Sequence, residues 1–481
     1  MSRPYLNIDV KGSSTLLPLD RLVKSPPLRR TGSRAINLDS EWGSRVTQEV
    51  SDKSVISEEG AMKSSAPSTW GIQAIFFAVW ILFCLKVAYE SMVMMNVTTR
   101  DKFFYEVFLY YNPLFLMAGM VWLWGINVWV FLTSRIPYSR VFDLDLNHIS
   151  HKEIWKIASW MTVAVITSMT AYLYLYSHGL VSHAASQPVL LYVMVPLVLG
   201  LPLDAFYGQT RFFFLKTLVR LTFPIQPITF ADFFVADVLT SMAKVLSDLE
   251  RSVCRMYHRQ VATVAWLDAD DACGSHSIYI PMILAFPYLS RFLQCLRQYH
   301  DTKDKTCLLN ALKYITTFPV IFISALKYHV ELPFWFSHLR PLWVLFAILN
   351  SCYSFWWDIT KDWDLGWMRG PWKPIKQSLR PNLLYNRPWV YHWAIFSNLV
   401  LRGAWTYKLS AHLRHNYKTV FFFSFLEMLR RFQWIFFRVE IAAIKLSNIT
   451  SSPVTRVSSI PLKDIPPSET ERLLSDTQHN V

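Results

Sequence analysis

Between Glu106 and Arg135 the chain runs through 28 residues without one charged side chain. A helix rising about 1.5 Å per residue needs only about 20 such residues to cross a hydrocarbon layer roughly 30 Å thick. A helix that is apolar on every face needs lipid or a large core around it. Comparable runs recur at about 70–95, 106–133, 154–177, 188–206, 231–257, 278–298, 308–330, 341–357, 389–409 and 417–440. The expected fold is therefore all-α: a polytopic membrane protein of about ten transmembrane helices. With 17% charged and 52% hydrophobic residues, against roughly 25% charged in soluble domains, a soluble multi-domain reading is excluded.

Ten is an even number, so both tails share one side of the membrane. Loops on that side hold 14 Lys or Arg, from Arg135 to Arg387, against five on the other side (Arg100, Lys102, Arg259, Arg340 and Arg414). The positive-inside bias places both termini in the cytosol. The sequon Asn96-Val97-Thr98 then falls in the first non-cytosolic loop, which makes Asn96 a glycosylation candidate, whereas Asn448-Ile449-Thr450 would face the cytosol. The net charge of +14 is explained by this topology; no zinc spacing or RNA-binding signature accompanies it, and nucleic acid is not an expected partner. Membrane lipid is.

The organisation follows. Residues 1–69 and 443–481 are rich in Ser, Pro and charge and read as disordered cytosolic tails. No cleavable leader is evident, so the first helix should act as an uncleaved anchor. Residues 70–206 form a scaffold of helices 1–4, 207–230 a linker with an interfacial helix over RFFFLKTLVRLT, and 231–442 a six-helix transport bundle. Six scattered cysteines lack metal-ligand spacing and read as packing residues; only Cys254 with Cys273 is a weak candidate pair. The acidic runs Asp143-Leu144-Asp145 and Asp268-Ala269-Asp270-Asp271 are short, His178 and His183 read as loop residues, and neither HExxH nor a Walker loop occurs. No cofactor or metal and no enzymatic activity is expected.

Charge inside a spanning helix costs about 2.5–3.5 kcal/mol per group on insertion scales and marks a polar path or a partner. The first half of the chain is poor in it, and Lys86 with Glu90 can neutralise itself at i,i+4. The second half is rich in it. FADFFVADVLTSMAK carries Asp232, Asp237 and Lys244, and NALKYITTF carries Lys313 beside Tyr314. SFWWDITKDW places Asp358 and Asp362 one turn apart, LRGAW sets Arg402 three residues before Trp405, and EMLRRFQWIFFRVE holds Glu427, Arg430, Arg431 and Arg438. Lys313, Arg402, Arg430 and Arg431 outline an anion path, because guanidinium forks match oxyanions. Structural duties are alternatives: a salt bridge from Glu427 to the tandem arginines, a solvated helix end for Asp358 and Asp362, and Asp237 as counter-charge to Lys313 or Arg402.

These blocks, together with RFLQCLRQYHDTK, occur in the order and spacing of the EXS family, and the resemblance covers residues 105–442. The best-known EXS proteins are phosphate exporters first known as retrovirus receptors. What the resemblance implies is a conduit for inorganic phosphate through the last six helices. Asp237, Lys313, Tyr314, Asp358, Asp362, Arg402, Trp405, Glu427, Arg430 and Arg431 fall on its pathway positions, with Trp405 as a gating aromatic. Thr240 departs from the pattern, standing where the exporters have asparagine, and a changed affinity is expected there. The chain looks most like short fungal EXS proteins of the Golgi without a sensing SPX domain, so regulation through such a domain is not expected. For that group the implied role is return of lumenal phosphate to the cytosol, with effects on retention of ER and Golgi residents and on glycosylation. A homodimer and Golgi trafficking or glycosyltransferase partners are compatible with it. The alternative is a membrane adaptor that recycles Golgi glycosyltransferases through its tails and transports nothing; a glycosyltransferase acting through Asp268 and Asp270 ranks far below both.

Overall fold

The structure is a computed structural model that describes residues 68–144, 148–201, 207–262, 273–274, 276–365, 383–385, 387–409 and 417–450. The N-terminal tail to residue 67, Asp145, the acidic run Asp268–Asp271 and the C-terminal tail beyond Thr450 lie outside the described residues. All regular structure among the described residues is helical. Helices α1 (Ser68–Met94), α2 (Val97–Thr133), α3 (His151–Ser177) and α4 (Val181–Gly200) come first, followed by the shorter α5 (Gly208–Thr222). Then come α6 (Phe230–Ser241), α7 (Ala243–Tyr257), α8 (Tyr279–Thr302), α9 (Lys305–Ile315) and α10 (Thr317–Leu326). The last three are α11 (Arg340–Trp357), α12 (Pro388–Arg402) and α13 (Tyr417–Thr450).

Among the described residues, six stretches are long and apolar enough to cross a membrane: Gly71–Met94, Phe103–Thr133, His151–Ser177, Val181–Gly200, Lys305–Leu326 and Leu332–Asp362. The other four expected segments are also helical, but as α6 with α7, α8, α12 and α13 they carry the charges that lower their hydropathy. The fold is an all-α polytopic membrane protein.

Local chemistry sets the boundaries. Ser150 and Glu153 form a capping box that starts α3, and Thr229 with Asp232 forms another that starts α6. Asp304 caps α9 through the Thr306 N–H at 2.9 Å, which holds its carboxyl below the usual range. The fourth segment begins at Val181 rather than near 188, because Pro188 and Pro196 lie inside α4 instead of opening it. Membrane helices accommodate such prolines. Two expected continuous helices are broken: residues 231–257 divide at Met242 and 308–330 at Thr316. Asn350 of α11 holds the second break, accepting from the Thr316 and Thr317 hydroxyls at 2.9 and 3.2 Å.

Helix α2 lies against α3 closely enough that a Cβ on Gly125 would sit 2.4 Å from the Trp155 ring. The scaffold and the charged half share one core. Val128 and Phe131 of α2 and Ile154 of α3 cluster with Phe234 of α6, Tyr391 and Ala394 of α12, and Trp434, Ile435 and Phe437 of α13.

The linker helix α5 differs from its expected surface role in one respect. Its arginines turn inward: Arg211 is buried and donates to the Val198 and Leu201 carbonyls that end α4, and Arg220 pairs with Asp232 at 2.6 Å. Phe212, Phe213, Phe214 and Val219 are left outward, so this helix presents apolar surface with Lys216 as its exposed cation. The Lys86–Glu90 pair forms on α1 at 3.8 Å, and Asn96 is exposed at the start of α2.

Cys254, in the last turn of α7, is disulfide-bonded to Cys273. The weak candidate pair of the sequence is thus a disulfide, and the bond closes the loop after α7. His258 stands near both sulfurs, but a disulfide offers no thiolate to a metal. Under denaturing conditions a maleimide mass tag should label four cysteines before reduction and six after it, as four are free and the chain has six.

Candidate functional site

The break after α6 creates the first part of the site. The Thr240 hydroxyl donates back to the Asp237 carbonyl at 2.7 Å, while the Thr240 carbonyl accepts from the Tyr288 hydroxyl of α8 at 3.1 Å. Hydroxyls bonding within the turn compete with the helical ladder and favour such an interruption. It leaves the Thr240 and Ser241 side-chain oxygens facing α13. There Arg431 Nη2 donates to Thr240 at 3.1 Å and Arg431 Nε to Ser241 at 2.9 Å.

Each acid has its own cation. Asp237 Oδ1 accepts from Arg291 Nε at 2.9 Å and from the Tyr314 hydroxyl at 2.7 Å. Asp358 Oδ2 receives Arg402 Nη2 at 2.5 Å and the Asn398 amide at 3.2 Å, with Arg430 Nη1 at 3.5 Å. Asp362 lies 3.8 Å from Lys313 Nζ and 4.0 Å from Arg438 Nε, and accepts from the Trp434 indole at 3.1 Å. Glu427 takes Arg430 through Nε at 2.9 Å and Nη2 at 2.5 Å. Asp358 and Asp362 occupy a wide five-residue turn at the end of α11 and are both buried, not a solvated helix end.

The tandem arginines diverge. The salt bridge expected from Glu427 goes to Arg430 alone. Among the described residues Arg431 meets no carboxylate within ion-pair distance; hydroxyls and the Trp434 ring, 4.4 Å from its guanidinium carbon, surround it. Arg402 Nε and Arg430 Nη1 are buried and find no hydrogen-bond acceptor among the described residues. Around this centre Arg291, Lys313, Arg402, Arg430, Arg431 and Arg438 stand against Asp237, Asp358, Asp362 and Glu427, six cations to four acids. Counted over the described residues, the site therefore holds a surplus of two positive charges in a low-dielectric setting, where an uncompensated charge is costly and attracts an anion.

Helix α12 ends at Arg402, and the chain tightens into a 3₁₀ segment, Gly403–Leu409. Trp405, in this segment, packs on the group of Ile323, Trp335 and Trp343, edge-on to Trp343 with ring centroids 5.7 Å apart. Lys313 Nζ lies 4.9 Å from the Tyr314 ring centre and 5.6 Å from that of Trp357. Thus Asp237, Thr240, Lys313, Tyr314, Asp358, Asp362, Arg402, Glu427, Arg430 and Arg431 converge, while Trp405 sits just beyond Arg402. Sequence reasoning nominated neither Arg291 nor Gln294, Ser241, Asn398 or Trp434. Arg291 carried a signal, as a charge that ends the apolar run of residues 278–290. Asp232 and Lys244, also charges in the fifth segment, serve locally: the first caps α6 and pairs with Arg220, and the second pairs with Asp248.

The EXS family model matches residues 107–444, the region that contains every residue of this charged centre. The chain belongs to the EXS family. It is 33% identical over 368 residues to SPX and EXS domain-containing protein 5 of Dictyostelium discoideum, covering 71% of this chain and 39% of that protein. Similar matches are a xenotropic and polytropic retrovirus receptor 1 homolog of Xenopus laevis, 31% identical over 69% of this chain and 49% of the relative, and solute carrier family 53 member 1 of Mus musculus, 29% over 76% and 54%. The chain spans about half the length, or less, of these relatives.

The pairing in this EXS protein ranks its acids. Losing Asp358 strips the closest counter-charge from Arg402 and a neighbouring one from Arg430. Losing Asp362 removes only contacts near 4 Å, and an amide there still accepts from Trp434. Breaking a buried pair typically costs about 3–5 kcal/mol. Asp358→Asn should therefore lower the melting temperature in detergent clearly more than Asp362→Asn.

Proposed function

We propose that this protein is a transmembrane conduit for inorganic phosphate, with its path through the charged centre of α6, α8, α9, α11, α12 and α13. The observation that carries the reading is the surplus of buried guanidinium and ammonium charge, with Arg402 Nε and Arg430 Nη1 lacking a hydrogen-bond acceptor among the described residues. Two extra positive charges match the charge that a hydrogen phosphate dianion brings. Guanidinium forks present paired N–H groups to its oxygens.

In this mechanism phosphate sheds water on entering and is held by Lys313, Arg402, Arg430 and Arg431. Tyr314 and Thr240, whose hydroxyl protons serve Asp237, line the path and hold that acid in place, and Trp405 swings against Trp343 as the movable constriction. Asp237, Asp358, Asp362 and Glu427 keep the cations in place and temper their pull, because permeation needs binding weak enough to release. No nucleotide motif supplies energy, so flux follows gradients.

The four charged segments α6 with α7, α8, α12 and α13 complete ten spans in this reading, with both termini cytosolic. The Cys254–Cys273 disulfide supports that orientation: disulfides persist in oxidising compartments, and the basic-residue bias puts the same loop on the non-cytosolic side. The setting we infer is the Golgi, where lumenal phosphate would return to the cytosol; effects on ER and Golgi retention and on glycosylation would follow from that flux.

Labelled phosphate uptake into proteoliposomes tests the conduit. Wild-type protein should load the vesicles, and Arg402→Ala and Lys313→Ala should each reduce uptake at least tenfold while the protein still elutes as a folded species. Undiminished flux in folded variants would sink the pathway, and no uptake by folded wild type would favour the adaptor role. Orientation has a separate check: Asn96→Gln should abolish an endoglycosidase-sensitive shift on expression in eukaryotic membranes.

A further inference from the structure

The ion pair between Arg291 and Asp237 joins α8 to α6 in an enclosed part of the site, with side chains only 3% and 6% exposed. Arg291 directs Nε and Nη1 to partners within the protein. Nε serves Asp237 and the Tyr314 hydroxyl, the latter at 3.1 Å, and Nη1 serves Gln294 at 2.7 Å. The Gln294 amide in turn donates to the Asp232 carbonyl at 3.3 Å, and the Phe233 and Tyr314 rings lie 5.5 and 5.1 Å from the guanidinium carbon. Arg291 is thus locked between an acid, an amide and two rings, unlike Arg402 and Arg430 with their unmet donors.

Asp237 is differently placed. The other cations acting on its carboxylate are Lys313 and Arg431. Lys313 immediately precedes Tyr314, which donates to Asp237, on the same helix, and Arg431 reaches the Thr240 hydroxyl one turn along α6. Without Arg291, the carboxylate would turn to the two cations that an arriving anion needs. The attraction between two unit charges falls as the inverse of their separation, so the partner at 2.9 Å engages the carboxylate most strongly.

We propose that Arg291 is a positioning residue that engages Asp237 and so leaves Lys313 and Arg431 available to the transported anion. The proposal rests on the phosphate-conduit reading and adds to it a division of labour: Arg291 holds an acid, and its neighbours hold the cargo. Arg291 acts through Asp237 and does not itself contact phosphate.

The test is a charge-compensation set in proteoliposomes supplied with external labelled inorganic phosphate. Arg291→Gln is expected to cut uptake at least tenfold, as the released carboxylate captures Lys313 or Arg431. The double variant Arg291→Gln with Asp237→Asn replaces the ion pair by two neutral amides, and uptake should recover at least fivefold over the single variant. A merely structural role would make the double variant no better, since it disturbs the same packing twice. Arg291→Lys keeps the counter-charge and should retain at least a third of wild-type uptake. Wild-type uptake by folded Arg291→Gln, no recovery in the folded double variant, or a folded but inactive Arg291→Lys would each overturn the assignment. Should Arg291→Gln not fold, the lysine variant decides alone. Failure of wild-type protein to carry phosphate is a distinct result, which removes the conduit and the role of Arg291 with it.

Discussion

Burying more cations than carboxylates is the constraint on which this structure turns. Each guanidinium taken out of water needs acceptors, and a membrane interior supplies none. The protein answers by sharing its acids. Asp358 serves Arg402 and Arg430, and Asp362 stands between Lys313 and Arg438. Arg431 receives hydroxyls in place of a carboxylate, and those hydroxyls face it because α6 stops at Ser241. The helix break and the charge distribution are one arrangement: a continuous helix through Met242 would not leave Thr240 and Ser241 in that position.

Helix α13 is the common wall between scaffold and site, and its sequence shows two stripes. Glu427, Arg430, Arg431, Trp434 and Arg438 recur at helical spacing and meet the charged centre. Met428, Ile435, Phe437 and Val439 lie buried in the apolar clusters that also hold α2. The scaffold is therefore more than a lipid-facing annex. It fixes the helix that carries the tandem arginines, down to Gly119 of α2, where an added Cβ would approach Met428 to 3.2 Å. Neighbouring Arg430 and Arg431 leave the helix about 100° apart. That angle lets Arg430 meet Glu427 and Asp358, with only a 3.4 Å contact to Ser241, while Arg431 lies on Thr240 and Ser241 of α6.

Membrane helices that break near charged groups recur where a protein must hold an ion in lipid, because interrupted backbone and side-chain hydroxyls replace part of its hydration. Both breaks here adjoin site residues: Met242 follows Thr240, and Thr316 follows Lys313 and Tyr314. Sequence reading drew each of these segments as one helix, since hydropathy records only how apolar a residue is. The hydroxyl contacts that interrupt the ladder, Thr240 with Tyr288 and Arg431, and Thr316 with Asn350, come from other helices.

What the sequence determined by itself was the solvent and the inventory. Apolar runs fix membrane helices because transfer into lipid adds up residue by residue along a local stretch. Charges inside those runs, from Asp237 to Arg431, stood out for the same reason. The order of the family's blocks was legible too. Which cation each acid neutralises was settled only by the tertiary structure: Arg402 meets Asp358 across 44 positions, and Arg431 meets Ser241 across 190. Electrostatic pairing falls off with distance in space and is indifferent to distance along the chain. Hence Arg291, an unremarked charge at the end of an apolar run, proved to be the partner of Asp237, and only one of the two tandem arginines meets a carboxylate among the described residues.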